Sequence, residues 1–93
     1  MAPITVRLFA SLRKYSPEAF EHGAGTVDIE EGSSISDIIT ALDIPPDRVK
    51  MIMKNGIVAS RDDTTAPDDR VALFPPELAF NLYVAMNYRE DLR

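Results

Sequence analysis

The residues best equipped for chemistry in this sequence are aspartates: Asp62-Asp63 and Asp68-Asp69 crowd a short stretch around Pro67. Carboxylates at that density could hold a divalent cation. A calcium-binding loop, however, alternates its ligands around a glycine, and that pattern is missing here. A solvated acidic loop is the simpler reading. His22 is the sole histidine of the sequence and lies in a glycine-containing loop, with no second histidine or cysteine to complete a metal site. Ser11, Ser16, Ser33, Ser34, Ser36 and Ser60 offer hydroxyls, but a nucleophile needs a base and a group to orient that base, and His22 would have to serve them all. With no nucleotide-binding glycine loop either, the chain is read as having no catalytic residue, no metal ligand and no cofactor of its own. Its chemistry is expected to be recognition.

Composition narrows the partner. The chain has 93 residues, enough for one small domain and a single core. Apolar residues make up 45% and the net charge is only −5, so the chain is too hydrophobic to be disordered. Ten basic against fifteen acidic residues argue against nucleic acid or an anionic membrane, both of which attract basic patches. A protein partner is expected, and the overall charge favours a basic one. The amino terminus lacks a basic segment followed by an apolar run, and no stretch approaches the ~18 apolar residues of a membrane span. A soluble cytoplasmic protein is the expectation.

The elements that position these groups follow from periodicity. Ile4, Val6 and Leu8 alternate with Thr5, Arg7 and Phe9, which predicts a half-buried strand. Residues 11–15 suit only a helical turn, since Pro17 interrupts them. Gly23 and Gly25 punctuate a loop before a second strand over 26–30. Ile35, Ile38, Ile39 and Leu42 show the spacing of one apolar helix face, Ser34 is placed to cap it with Asp37 three residues on, and Pro45-Pro46 is expected to end it. A third strand over 49–54 would put Met51 and Met53 in the core as filler and turn Lys50, Ile52 and Lys54 outward. Asn55-Gly56 predicts a tight turn into a short strand at Ile57-Val58, and residues 70–74 make the last strand. One α+β domain follows, a mixed sheet wrapping one main helix.

These residues resemble a known family, the ubiquitin-like β-grasp sulfur carriers of the MoaD and ThiS type. The likeness is carried by Val6-Arg7-Leu8-Phe9-Ala10-Ser11-Leu12-Arg13, by Gly32-Ser33-Ser34-Ile35 at the start of the helix, by Asn55-Gly56, and by Asp69-Arg70-Val71-Ala72-Leu73-Phe74-Pro75-Pro76. It covers residues 4–80, and the double proline after the last strand is most similar to the small subunit of molybdopterin synthase. The resemblance implies a β-grasp fold and a carrier ending in Gly-Gly, whose carboxylate is adenylylated and converted to a thiocarboxylate. It also implies partners similar to an activating enzyme or to the large subunit of a pterin synthase. Only a tail without side chains threads a narrow channel to the reacting atom. Here Ala79 and Phe80 stand at those positions, and no glycine follows Gly56.

The expectation is therefore a β-grasp domain over 1–76 with a C-terminal extension over 77–93, serving as a noncatalytic protein-binding or assembly module of molybdenum or tungsten pterin cofactor or sulfur-transfer pathways. The alternative is an active sulfur carrier with atypical activation. Phe80, Leu82, Val84, Met86 and Tyr88 alternate with mostly polar or small residues, which favours an added strand through about Met86; a helix over 81–92 is the rival, supported by Leu82 with Met86. Such an extension would cover its own sheet or join the sheet of another copy, giving a homo-oligomer. The expected partner-binding residues are Phe9, Ile52 and Phe74 on the outer sheet face, rimmed by Arg7, Lys50 and Lys54, then Pro75, Pro76, Phe80, Leu82, Val84 and Met86.

Overall fold

The computed structural model describes residues 2–78. Their order is β1 (Ala2–Leu8), a 3₁₀ helix (Ala10–Tyr15), β2 (Ala24–Ile29), α1 (Ile35–Ala41), a second 3₁₀ turn (Pro46–Arg48), β3 (Met51–Lys54), β4 (Ile57–Ala59) and β5 (Arg70–Phe74). Hydrogen bonding orders the strands β2-β1-β5-β3-β4. The first and last strands run side by side and parallel, while the other pairs are antiparallel. Alternation along β1 is complete: Ile4, Val6 and Leu8 are fully buried and the residues between them exposed. Val71 and Leu73 continue the same inner face on β5. Against it packs α1, through Ile35, Ile38 and Ile39. Burying each such aliphatic side chain stabilises the fold by about 1.5–3 kcal/mol, so the helix, too short to persist alone, is held by its apolar face.

The helix start is closed by short-range chemistry. Ser34 Oγ accepts the Asp37 N–H at 3.2 Å, and Asp37 Oδ2 accepts the Ser34 N–H at 3.0 Å, the predicted capping box. The next free donors find carbonyls in the β4–β5 connection: Ile35 N–H donates to Asp63 and Ser36 N–H to Arg61, both at 3.0 Å. Thr65, a buried polar residue, gives both its N–H and its hydroxyl to the Ser33 carbonyl. The acidic connection is thus a strap across the head of α1. Gly25 lies within β2 and not in the loop before it, and its missing side chain makes room for the Phe20 ring, which a Cβ would meet at 2.3 Å.

The end of α1 departs from expectation. Pro45-Pro46 do not stop the helix; it closes at Ala41, and Asp43 adopts a left-handed conformation with φ of 56°. Ile44 N–H then reaches back to the Ile39 carbonyl and Asp43 N–H to that of Thr40, the paired bonds of a Schellman closure, with Ile44 buried near Ile39. The prolines come after and form the second 3₁₀ turn. A side chain other than glycine is strained at that φ. Asp43→Gly is expected to raise stability by about 0.5–1 kcal/mol, relief of strain outweighing added chain entropy, and urea denaturation followed by circular dichroism would read the change as a higher midpoint at constant slope.

Candidate functional site

Because Val6, Leu8, Val71 and Leu73 face the helix, Thr5, Arg7, Arg70, Ala72 and Phe74 must face away from it. Register then assembles the outer surface row by row. Arg7 stands beside Ala72, Ala72 beside Met53, and Met53 beside Val58. In the next row Phe9 follows Leu8 past the end of the ladder and meets Phe74, which pairs with Met51. The Phe9 and Phe74 rings stack with centroids 4.5 Å apart and planes 13° from parallel, and the Arg7 guanidinium carbon lies 5.5 Å from the Phe9 centroid. Thr5, Arg7, Phe9, Met53, Arg70 and Phe74 are among the residues lining an open concavity of about 400 Å³. Toward β2 the same face turns polar with Thr26 and Asp28. Toward β4 it stays apolar, and Val58 is 54% exposed.

The structure corrects the expected surface at β3. Ile52 is buried at 4% exposure and pairs with Leu73, so it belongs to the core and not to the outer face. Met51 and Met53 are half-buried on the outer face and are not core filler. A strand reading Met-Ile-Met is apolar on both sides, and slipping the parity by one residue exchanges its faces. The basic rim shifts with it. Lys54 shares the parity of Ile52, and its Nζ donates to the Thr64 carbonyl at 3.0 Å; Lys50 has the same parity. Arg7 keeps its place, and Arg70, which the sequence reading passed over, joins it. Phe9 and Phe74 are where expected, although Phe74 is only 7% exposed. Pro75 is buried and Pro76 exposed. Phe80, Leu82, Val84 and Met86, with the strand-or-helix question about them, lie outside the described residues, as does the extension from Ala79 onward.

Two polar anchors fix the borders of this surface. At one end Asn55 and Gly56 both have positive φ, 53° and 83°, the conformation of a two-residue hairpin turn. Asn55 does more than turn the chain. Its Oδ1 accepts the Arg70 N–H at 2.9 Å, its backbone N–H donates to the Arg70 carbonyl at 2.8 Å, and its Nδ2 donates to Asp69 Oδ1 at 3.0 Å. Asp69 Oδ2 also accepts the Ala66 N–H at 2.9 Å. That backbone bond, then the Asn55 amide, hold the Asp69 carboxyl below its ordinary value of 3.8, with the nearby Lys54 charge assisting. At the other end Leu78 N–H closes a turn onto the Pro75 carbonyl, and the Ser11 hydroxyl donates to Glu77 Oε1. The Ser11 hydrogen bond lowers the Glu77 pKa, with a smaller contribution from Arg48.

The remaining candidates separate. Asp63 accepts the Ser60 N–H at 3.2 Å, so both it and Asp69 close turns. Among the described residues no cluster of acids or histidine is arranged to hold a metal ion. His22 is exposed in the connection after the first 3₁₀ helix, at φ 53°. The Ser11, Ser33 and Ser34 hydroxyls engage Glu77, the Glu30 carbonyl and Asp37 respectively. No helix among the described residues is long and apolar enough to cross a membrane.

Two outcomes test this geometry. Ile52→Glu should unfold the protein or lower its stability by several kcal/mol, since it buries a carboxylate, whereas Met53→Glu should change stability by less than about 1 kcal/mol; thermal melts of the two variants decide which residue faces the core. Asp69→Asn should cost about 1 kcal/mol at pH 7, a modest value because water screens the site. The Asp69 pKa is depressed in the folded chain, so its stabilisation is complete above 3.8 and is lost as pH falls through the folded value. Denaturation of wild type and variant at a series of pH values should therefore show their difference closing in acid.

Solved structures share this fold. Small archaeal modifier protein 1 of Haloferax volcanii is 26% identical, with a TM-score of 0.63 over 82% of this chain and 99% of that one. A protein described as molybdopterin converting factor subunit 1, from Pyrococcus furiosus, is 20% identical, also with a TM-score of 0.63, over 82% of this chain and 99% of its own. The fold is thus the ubiquitin-like β-grasp of MoaD-type proteins, as the sequence resemblance implied. Among curated proteins, none matches the sequence. The Mut7-C ubiquitin family model matches residues 1–81. On that match over most of its length, the chain belongs to the Mut7-C ubiquitin family.

Proposed function

We propose that this protein is a noncatalytic β-grasp docking module whose working surface is the outer face of the sheet, in or derived from sulfur-transfer or pterin cofactor pathways. The observation that carries the reading is the continuous apolar strip from the Phe9–Phe74 stack across Met53 to the exposed Val58. A single exposed valine needs no explanation; a strip along three neighbouring strands, flanked by arginines, is the composition of an interface. Candidate partners are a protein similar to an activating enzyme, one similar to a pterin-synthase large subunit, a second copy of the chain, or, from the family's name, a Mut7-C polypeptide.

The competing reading is a sulfur carrier, and the likeness to small archaeal modifier protein 1 and to the converting-factor subunit favours it. Ala79 and Phe80 weigh against it. Side chains follow the double proline where a thin, reactive terminus would have to enter a partner's channel. Mass spectrometry of the intact chain after incubation with an activating enzyme, ATP and a sulfide source separates the two. An unchanged mass is expected; exchange of one terminal oxygen for sulfur would overturn the docking-only reading.

Position also distinguishes them. A photo-crosslinking residue in place of Val58 should capture a protein partner in cells, and the same residue in place of Thr40, exposed on α1, should not. Equal capture from both positions would remove the outer face from its proposed role.

A further inference from the structure

Arginines flank the apolar strip at two points, and the ladder sets their separation. Thr5 pairs with Arg70 and Arg7 with Ala72, so Arg7 and Arg70 are diagonal neighbours on adjacent strands. Strand spacing and a two-residue rise put their Cα atoms about 8 Å apart. Between them lies the concavity, floored by Ala72 and walled by Met53 and the phenylalanine stack. Other basic side chains are engaged inside the fold: Arg61 donates to the Pro46 and Val49 carbonyls, and Lys54 to that of Thr64. Among the described residues no hydrogen bond or ion pair engages the guanidinium of Arg7 or of Arg70; that of Arg7 rests over Phe9 with its N–H edge available. The chain carries −5 overall, yet the charges beside this hollow are positive.

The whole-chain charge suggested a basic partner, but the charge at this surface asks for the opposite. We propose that the segment docked here is an acidic stretch of polypeptide, with one large apolar side chain seated in the hollow and carboxylates on either side of it meeting Arg7 and Arg70. This rests on the docking reading above and specifies its ligand. Carboxylates two residues before and after the anchor of an extended peptide project on the anchor's side and lie within reach of two splayed arginine side chains. A nucleic acid would satisfy the arginines too, but its bases need aromatic faces to stack on. Phe9 is already stacked on Phe74 and covered by Arg7.

The full chain, labelled with nitrogen-15, would be titrated with the peptide Gly-Glu-Ser-Phe-Ser-Glu-Gly, with its lysine-for-glutamate counterpart, and with a thymidine oligonucleotide. Amide shifts at Arg7, Met53 and Ala72 are expected with the acidic peptide alone, weakening as salt is added. Arg70→Glu should reduce affinity for that peptide about fivefold, and the Arg7→Glu, Arg70→Glu double variant should bind the lysine peptide in preference. Both substitutions are at exposed positions, and circular dichroism would verify that each variant is folded. Equal response to the two peptides, shifts centred on α1, no shifts at all, affinity indifferent to Arg70→Glu, or tighter binding of the oligonucleotide would each overturn the proposal. If the acidic peptide fails while the crosslinker at position 58 still captures a protein, the acidic ligand is wrong and the docking surface stands; if both fail, both readings fall.

Discussion

Everything at the outer surface depends on the parallel pairing of the first strand with the last. Register between β1 and β5 brings Arg7 and Phe9, from the first strand and its edge, against Ala72 and Phe74 of the last. It also seals Val6, Leu8, Val71 and Leu73 beneath them. The two faces are locked together by the pleat: a residue-wide slip would carry the buried aliphatics to water and the arginines into the core. Since each buried aliphatic contributes about 1.5–3 kcal/mol, the core holds the register, and the register holds the outer surface.

What could be read from the sequence was what local chemistry decides. Ile4, Val6 and Leu8 alternate beside plainly polar neighbours; Ser34 and Asp37 have the spacing of a reciprocal cap; Asn55-Gly56 has few conformations other than the turn it makes. Each signal is complete within a few residues. The orientation of β3 is not of that kind. Met51, Ile52 and Met53 are all apolar, and only the pairing of Ile52 with Leu73 decides which of them enters the core. From that ambiguity came the misplacement of Ile52, of both methionines and of the lysines. Anchoring the parity on the neighbouring β5, where Val71 and Leu73 alternate with Arg70 and Ala72, would have found Arg70 and Met53. Likewise the left-handed Asp43 was hidden by the more conspicuous prolines after it.

The aspartate-rich stretch shows how residues suited to one chemistry perform another. Asp63 and Asp69 close turns through backbone N–H groups, and the Arg61 and Asp63 carbonyls satisfy the first donors of α1. An acidic connection without helix or strand is thus ordered from both directions, by its own side chains and by the helix start it covers. Asn55 ties its far end to Arg70, so the geometry of the hairpin turn reaches the residue that borders the concavity. Sequence alone could list these polar groups but could not say which backbone each would find.

The pairing of β1 with β5 also has a meaning in time. The β3–β4 hairpin joins residues a few positions apart and can form early, whereas the β1–β5 ladder must close a loop of nearly the whole domain before any contact rewards it. Contacts of such long range slow folding. A surface divided between the first and last strands of the sheet exists only where that ladder has closed. A partner that required both Phe9 and Phe74 would therefore recognise the paired strands and neither strand alone.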